Sequence, residues 1–171
     1  MNGVELLQNH LGSAHWVFAN TAADVDESVA HQGPFGSAGT VGSRMAHLVY
    51  DEDLLVQGML QGKAPLANSI FAGKTGISDP QMSNSAAWEK SVRLNLAEFR
   101  EYQKAVFAAT EAYAATLHDG DLDRELDMSE MGMGKQSLGW ALGMLVIGHA
   151  NSLAGEISAL KGMQGAKGYP F

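Results

Sequence analysis

LGWALGMLVIGHANSLAGEISAL, residues 138–160, repeats apolar side chains at steps of three and four residues. This spacing places them along one face of an α-helix. The resulting stripe consists of Leu138, Leu142, Leu145, Val146, His149, Leu153, Ile157 and Leu160. We expect the helix to begin near Gln136 or Ser137 and to end near Gly162. Because a helix with one apolar stripe must bury it against other elements, this segment predicts helical partners elsewhere in the chain.

Three earlier segments have the same helical spacing and are the expected partners of this helix. They cover residues 4–25, 40–62 and 83–118. Thr40 is the predicted N-cap of the second segment, and Ser83 or Asn84 is the predicted N-cap of the third. Long amphipathic helices of similar length pack well as an antiparallel bundle. The sequence therefore predicts an all-α protein, a four-helix bundle formed by one domain that spans residues 1–171.

The connections between these segments contain residues that typically interrupt helices. Pro34 lies among glycines after the first segment, and Asp79-Pro80 predicts a turn in the long connection 63–82. A short helix is predicted inside that connection, at residues 66–72. Residues 122–134 interleave acids, methionines and glycines without a period, so we expect an irregular connection there. No run has the alternation that is typical of a strand.

The composition excludes several classes of function. The chain has no cysteine, which rules out disulfides, zinc–thiolate sites and a cysteine nucleophile. A net charge of −8 without a basic cluster argues against binding to nucleic acid. No stretch approaches the roughly 18 consecutive apolar residues of a membrane helix, and the first residues lack the features of a signal peptide. We therefore expect a cytoplasmic protein with neither a membrane nor a nucleic-acid partner.

Two of the six histidines lie within apolar stripes and are candidate site residues. They are His47, on the second segment, and His149, on the last. A buried imidazole needs a hydrogen-bond partner or a bound ligand. These two are therefore either satisfied core histidines or ligands of a metal held between facing helices. Asp51 follows His47 by one helical turn, where its carboxylate can bind the same metal or orient an imidazole.

The other four histidines carry no such signal. They are His10, His15, His31 and His118. His10 and His15 are five residues apart on one helix and point in different directions, so they cannot bind one metal together. We expect all four to lie in solvent or at helix ends.

Two local patterns resemble the DinB family, whose members have the DinB/YfiT-like four-helix fold. The first is TVGSRMAHL, residues 40–48, followed by Asp51-Glu52-Asp53, and the second is HANSLAGEI, residues 149–157. They resemble the single histidine on the family's second helix and the pattern His-x-x-x-His-x-Gly-(Gln/Glu)-Ile on its last helix. The order of elements is also similar over nearly the whole chain.

In that family three histidines bind a divalent metal such as nickel or zinc. The resemblance implies that His47 and His149 are two of these ligands and that Leu153 stands in place of the third. Gly155-Glu156-Ile157 fixes this alignment. Because leucine cannot bind a metal, another group must complete the set, and the carboxylate of Asp51 is the first candidate.

The resemblance implies a metal-dependent transferase or isomerase that uses a low-molecular-weight thiol, such as bacillithiol or mycothiol, with a small-molecule substrate. The alternative is a non-catalytic, dimeric helical bundle with a degenerate metal site, which binds a small ligand or only self-associates. Glu52 and Glu156 are poorer ligand candidates, since the first is rotated by about 100° from Asp51 and the second lies two turns beyond His149. The sequence identifies no catalytic residue and leaves open whether the chain is an enzyme. A homodimer is expected in either case.

Overall fold

The computed structural model describes residues 1–33, 38–77 and 85–171. The predicted caps Ser83 and Asn84, the turn at Asp79-Pro80 and the break at Pro34 lie outside those residues. The helices are α1 (Gly3–Thr21), α2 (Glu27–His31), α3 (Val41–Asp53), α4 (Ala86–Ser91), α5 (Leu96–Ala114), α6 (Leu138–Ala141) and α7 (His149–Met163). Two π-helical segments are named π1 (Leu54–Leu60) and π2 (Leu142–Gly148). Strands β1 (Glu125–Asp127) and β2 (Lys135–Ser137) form an antiparallel hairpin.

Four long helical units form a bundle. They are α1, α3 continued by π1, α5, and the continuous run of α6, π2 and α7. Helix α7 packs against α1 and α3, and α5 packs against the same two helices. The units therefore follow one another around the bundle in the order α1, α7, α3, α5, which leaves α1 and α3 diagonally opposite. This arrangement confirms the predicted all-α fold class.

Short polar side chains cap several helices, and the predicted N-cap Thr40 is confirmed. The Thr40 hydroxyl oxygen accepts a hydrogen bond from Ser43 N at 3.0 Å and caps α3. The Ser137 hydroxyl oxygen accepts one from Trp140 N at 3.1 Å and caps α6. Each cap satisfies a backbone donor that has no partner within the helix.

Two predicted helices are shorter than the sequence pattern indicates. Segment 83–118 contains α4 and α5, separated by an extended stretch after Ser91. In that stretch Leu94 N donates a hydrogen bond to His31 Nε2 at 3.0 Å, and Asn95 N donates one to Thr75 O at 2.9 Å. These long-range bonds replace helical ones, so the local period could not reveal the break. Likewise, segment 4–25 ends early, and a separate short helix, α2, follows it.

The prediction of an irregular connection at 122–134 was wrong in part. Strand β1 lies inside it and pairs with β2, with Leu126 opposite Gln136. Each strand has three residues, which is too short for an alternating pattern to be recognised. The predicted helix at 66–72 is a single turn of 3-10 helix, Leu66–Asn68.

The core has two parts, and the hairpin belongs to the second. The first part fills the space between α1, α3, α5 and α7. The second lies where π1, α6, π2 and the hairpin meet, with Met128 of the hairpin buried in it. Among the described residues, no helix is both long enough and apolar enough to span a bilayer.

Asp53, at the end of α3, anchors the connection that follows π1. Its carboxylate accepts hydrogen bonds at 2.9 Å from Leu66 N, Ala67 N and the Tyr102 hydroxyl. Burial raises the pKa of Asp53, and the two backbone donors and Tyr102 oppose that rise. Burial and the neighbouring Asp53 charge raise the pKa of Tyr102, so its hydroxyl stays protonated as a donor.

We expect Tyr102→Phe to lower the free energy of unfolding by about 1–2 kcal/mol, because it leaves the buried carboxylate of Asp53 without one of its donors. Tyr113→Phe is the matched control, since the Tyr113 hydroxyl only accepts a bond from Arg124 at the surface. It should change the free energy by less than about 0.5 kcal/mol. Urea unfolding followed by circular dichroism measures both. Equal effects of the two substitutions would contradict the role assigned to Tyr102.

Candidate metal centre

Three predicted site residues meet at one point of the bundle. His47 and Asp51 lie one turn apart on α3, and His149 is the first residue of α7. His47 Nδ1 is 3.3 Å from Asp51 Oδ2. The rings of His47 and His149 are 4.8 Å apart between centroids and nearly perpendicular, at 79°. One ligand atom from each residue lies within 4.8 Å of the other two, and no other group among the described residues meets this condition.

Two polar atoms at this point are buried without a hydrogen-bond partner, namely His47 Nδ1 and Asp51 Oδ1. The 3.3 Å contact between His47 and Asp51 lacks the angles of a hydrogen bond, so it does not satisfy the imidazole nitrogen. Buried polar atoms of this kind cost free energy unless something binds them. A cation bound by both residues would satisfy both atoms.

The donor set fits a divalent metal. Two ligand atoms at roughly 2.0–2.2 Å from one ion lie at most about 4.4 Å apart. The observed limit of 4.8 Å is close to that, so a small rotation of the half-buried side chains is sufficient. Two imidazoles and one carboxylate suit zinc, nickel and similar metals, and three protein ligands leave coordination positions for other molecules.

The electrostatic surroundings of His149 favour its metal-binding form. Burial lowers the pKa of His149, and the positive charge of a protonated His47 lowers it further. The carboxylates of Asp51 and Glu52 oppose both effects without reversing the direction. Only a neutral imidazole can donate its lone pair to a metal, so the lowered pKa keeps this ligand available.

An open pocket of about 430 Å³ lies over these residues. The described residues that line it are His47, Asp51, Leu55, Met131, Met133, Met144, Leu145, Gly148, His149 and Ser152. Both π segments contribute to this lining. The lining residue from π1 is Leu55, and those from π2 are Met144, Leu145 and Gly148. Such widened turns occur frequently at functional sites of helical proteins.

Leu153 faces away from the pocket. Its side chain is 3% exposed and belongs to the core cluster between the four helices. The described lining of the pocket does not include it, and Ser152 lies at the pocket instead. Leu153 therefore does not close the pocket above His149.

The poorer ligand candidates are engaged elsewhere. Glu156 Oε2 lies 2.9 Å from Arg44 Nε, and Arg44 also pairs with Glu89 at 2.7 Å. Both carboxylate oxygens of Glu52 face His15 Nε2, at 3.1 and 3.3 Å. Neither glutamate therefore adds to the cluster of His47, Asp51 and His149.

The expectation for His15 was wrong. It is 4% exposed, and its ring contacts α3 and α5 instead of lying in solvent. Nδ1 is 2.8 Å from Glu111 Oε1, Nε2 faces Glu52, and the ring stacks on Phe107 at 3.9 Å. The sequence gives one signal of this position, since His15 follows Leu11 by four residues on the buried side of α1.

The other three histidines lie where the sequence predicts. His10 and His118 are exposed. His31 is half-buried at the end of α2, where its Nε2 accepts the hydrogen bond from Leu94 N.

The charge of His15 contributes to the stability of the bundle. Burial lowers the pKa of His15, but the hydrogen bonds and charges of Glu52 and Glu111 outweigh burial, so the pKa lies above its usual value. A histidine pKa that is raised in the folded state stabilises the protein at pH values below the pKa of the unfolded state, which is about 6.5. That contribution is lost as the pH rises through the folded pKa.

We therefore expect His15→Gln to cost more stability at about pH 6 than at about pH 9, because only the acidic condition charges His15 in the parent protein. Urea unfolding in the presence of a chelator measures the difference between parent and variant at each pH. His149, whose pKa is shifted in the opposite direction, is common to both proteins and cancels. His10→Gln is the control and should leave the pH dependence unchanged. Parallel curves for the parent and His15→Gln would refute the pairing as a source of stability.

Comparison with known structures supports the architecture. A crystal structure described as the conserved protein of locus from Enterococcus faecalis is similar, with a TM-score of 0.79 and 18% sequence identity. The match covers 94% of this chain and 96% of that one. At this identity the likeness shows the fold alone. Comparison with curated protein sequences gives no match.

Comparison with protein families identifies one over most of the chain. The profile of the DinB superfamily matches residues 14–151, from the second half of α1 to the start of α7. The matched region includes His47, Asp51 and His149. By this match, the chain belongs to the DinB superfamily.

Proposed function

We propose that the protein is a metal-dependent transferase or isomerase that acts on a small molecule, with His47, Asp51 and His149 as the metal ligands. One observation carries the proposal. The three side chains converge at the floor of an open pocket, and two of their buried polar atoms have no hydrogen-bond partner. Because a structural site normally has a closed set of four ligands, three ligands below an open pocket favour a reactive site over a structural one.

We propose nickel or zinc as the metal and a low-molecular-weight thiol as co-substrate. His47, Asp51 and His149 would hold the cation, which would supply a nucleophile near neutral pH by lowering the pKa of a coordinated thiol or water. The chain has no cysteine and cannot provide a thiol itself. Asp51, beside His47, would offset part of the metal charge, and the lowered pKa of His149 favours the neutral form of its imidazole.

Metal content measured by elemental mass spectrometry tests the ligand assignment. We expect near-stoichiometric nickel or zinc in tag-free parent protein and its loss in His47→Ala and His149→Ala, because each variant removes one of only three ligands. His118→Ala is the matched control, since His118 is exposed and is not among the described residues that line the pocket. It should retain the metal.

Two outcomes would overturn the ligand assignment. One is a parent protein that folds but does not bind metal when nickel or zinc is supplied, which would favour the non-catalytic bundle. The other is equal metal loss in His118→Ala. If metal binds as expected, thiol transfer to an electrophile should require both the metal and an added thiol.

We also propose that the protein forms a homodimer through the outer face of α1. No Asp, Glu, Lys or Arg occurs between Glu5 and Asp24, although the whole chain has a net charge of −8. Trp16 is 52% exposed on this helix, and Phe171 stacks on it at 6.0 Å between ring centroids. An exposed aromatic surface without charge is the kind of surface on which two strongly acidic copies can associate.

Light scattering coupled to size-exclusion chromatography tests the dimer. We expect the parent protein to elute with the mass of two chains and Trp16→Lys to elute with the mass of one, because the lysine places a like charge in both copies at the interface. Ile70→Lys introduces the same charge at an exposed apolar residue in another region and should stay dimeric. A monomeric parent protein, or a dimeric Trp16→Lys variant, would exclude this interface.

A further inference from the structure

We infer that the pocket above His47 and His149 takes an uncharged molecule with a hydrocarbon body, held by a wall of methionine and leucine side chains. This inference deepens the proposed function, because such a molecule would be the substrate that meets the nucleophile at the floor. It rests on the chemistry of the pocket wall, which is separate from that of the metal ligands.

The described part of the wall is mostly apolar. Above the floor, the described lining consists of Leu55, Met131, Met133, Met144, Leu145 and Gly148, with Ser152 as the one hydroxyl. No lysine or arginine occurs among the described lining residues. A phosphate or carboxylate on the substrate would therefore enter the pocket without a protein counter-ion, which is costly in an apolar site.

The size of the pocket selects a small molecule. A volume of about 430 Å³ lies within the range of roughly 300–1,000 Å³ that is typical of pockets for drug-sized ligands. Pockets of this kind bind the body of the ligand by apolar contact and orient it with few polar groups. Here the polar groups are at the floor, so the reactive end of the ligand would point towards His47 and His149.

The hairpin fixes one side of the wall. Between its strands, Met128 N donates a hydrogen bond to Gly134 O at 2.8 Å, and Met133 N donates one to Met128 O at 3.2 Å. Met128 itself is 2% exposed and anchors this loop in the second part of the core. Gly132 and Gly134 have φ angles of 73° and 64°, which side chains other than glycine rarely adopt. The loop is therefore held in the conformation that presents Met131 and Met133 to the pocket.

The methionines suit ligands of varied shape. Methionine is unbranched and has three rotatable bonds, so a wall of methionines can adapt to different apolar surfaces. Met144, on π2, is 56% exposed at this pocket although its side chain is apolar. A bound hydrocarbon body would cover it and remove that apolar surface from water.

Two fluorescent probes that share a ring system test the inference on chelator-treated protein. N-phenyl-naphthylamine is neutral, and anilinonaphthalene sulfonate carries one negative charge. We expect saturable binding of the neutral probe and roughly tenfold weaker binding of the anionic one, because the described lining has no lysine or arginine to serve as a counter-ion. Equal affinities, or no binding of the neutral probe, would overturn the inference.

A charge introduced at the wall locates the binding. Met144→Lys should weaken the binding of the neutral probe and strengthen the binding of the anionic one, because the lysine supplies a counter-ion. Met144 is exposed, so the position tolerates lysine. Met163→Lys is the matched control, since Met163 is 64% exposed outside the pocket, and it should change neither affinity. Trp16→Lys should likewise change neither affinity, which would exclude binding of the probes at the outer face of α1. Unchanged probe affinities in Met144→Lys would show that the probe binds elsewhere and would refute the assignment.

The metal proposal and the apolar-substrate inference can fail separately. In His47→Ala we expect metal to be lost while the neutral probe still binds, because the wall is intact. Retained metal without probe binding in the parent protein would overturn the apolar substrate and leave the metal site. Probe binding without metal under any loading condition would overturn the metal site and leave an apolar ligand pocket.

Discussion

One turn of α3 carries three consecutive carboxylates inside the bundle, those of Asp51, Glu52 and Asp53. The packing around this turn must accommodate all three. Successive residues of a helix point about 100° apart, so the three side chains must enter three different environments. Asp51 lies at the pocket beside His47, Glu52 faces His15 of α1, and Asp53 accepts bonds from α5 and from the connection after π1. Each buried acid would be costly without these partners.

This turn explains why the elements around it are arranged as they are. Glu52 and His15 hold α1 to α3 across the bundle, although the two helices are diagonally opposite, and Glu111 extends that contact to α5. Asp53 positions the chain that leaves π1. With two of the three acids fully engaged in this way, Asp51 is the one that keeps a buried oxygen without a hydrogen-bond partner. The same turn therefore supports the bundle with two carboxylates and leaves the third, Asp51, at the pocket.

Most of the helical framework could be predicted from the sequence, because apolar periodicity is a local property. The juxtaposition of His47, Asp51 and His149 was also predictable, since each lies on a helix whose buried face could be read from its neighbours. The break before Leu96 was not, because the bonds that cause it join Leu94 and Asn95 to residues far away in the chain. His15 was missed because both of its partners lie on other helices. The methionines of the hairpin were visible only as apolar residues in a connection without a period.

The shape of the pocket depends on the wide turns of the π segments as well as on the residue types that line it. A π-helix closes its hydrogen bonds over five residues instead of four, so each turn holds about one residue more than the α-helix around it. If π2 lost one residue and closed as an α-helix, the helix before it would keep nearly the same orientation relative to His149, but the wide turn at the pocket would narrow. The wall would then lose part of the apolar surface that Met144 and Leu145 supply, while His47, Asp51 and His149 kept their identity. The number of residues between Ser137 and His149 is thus part of what defines this pocket, and a comparison of His47, Asp51 and His149 alone would not detect the loss of one.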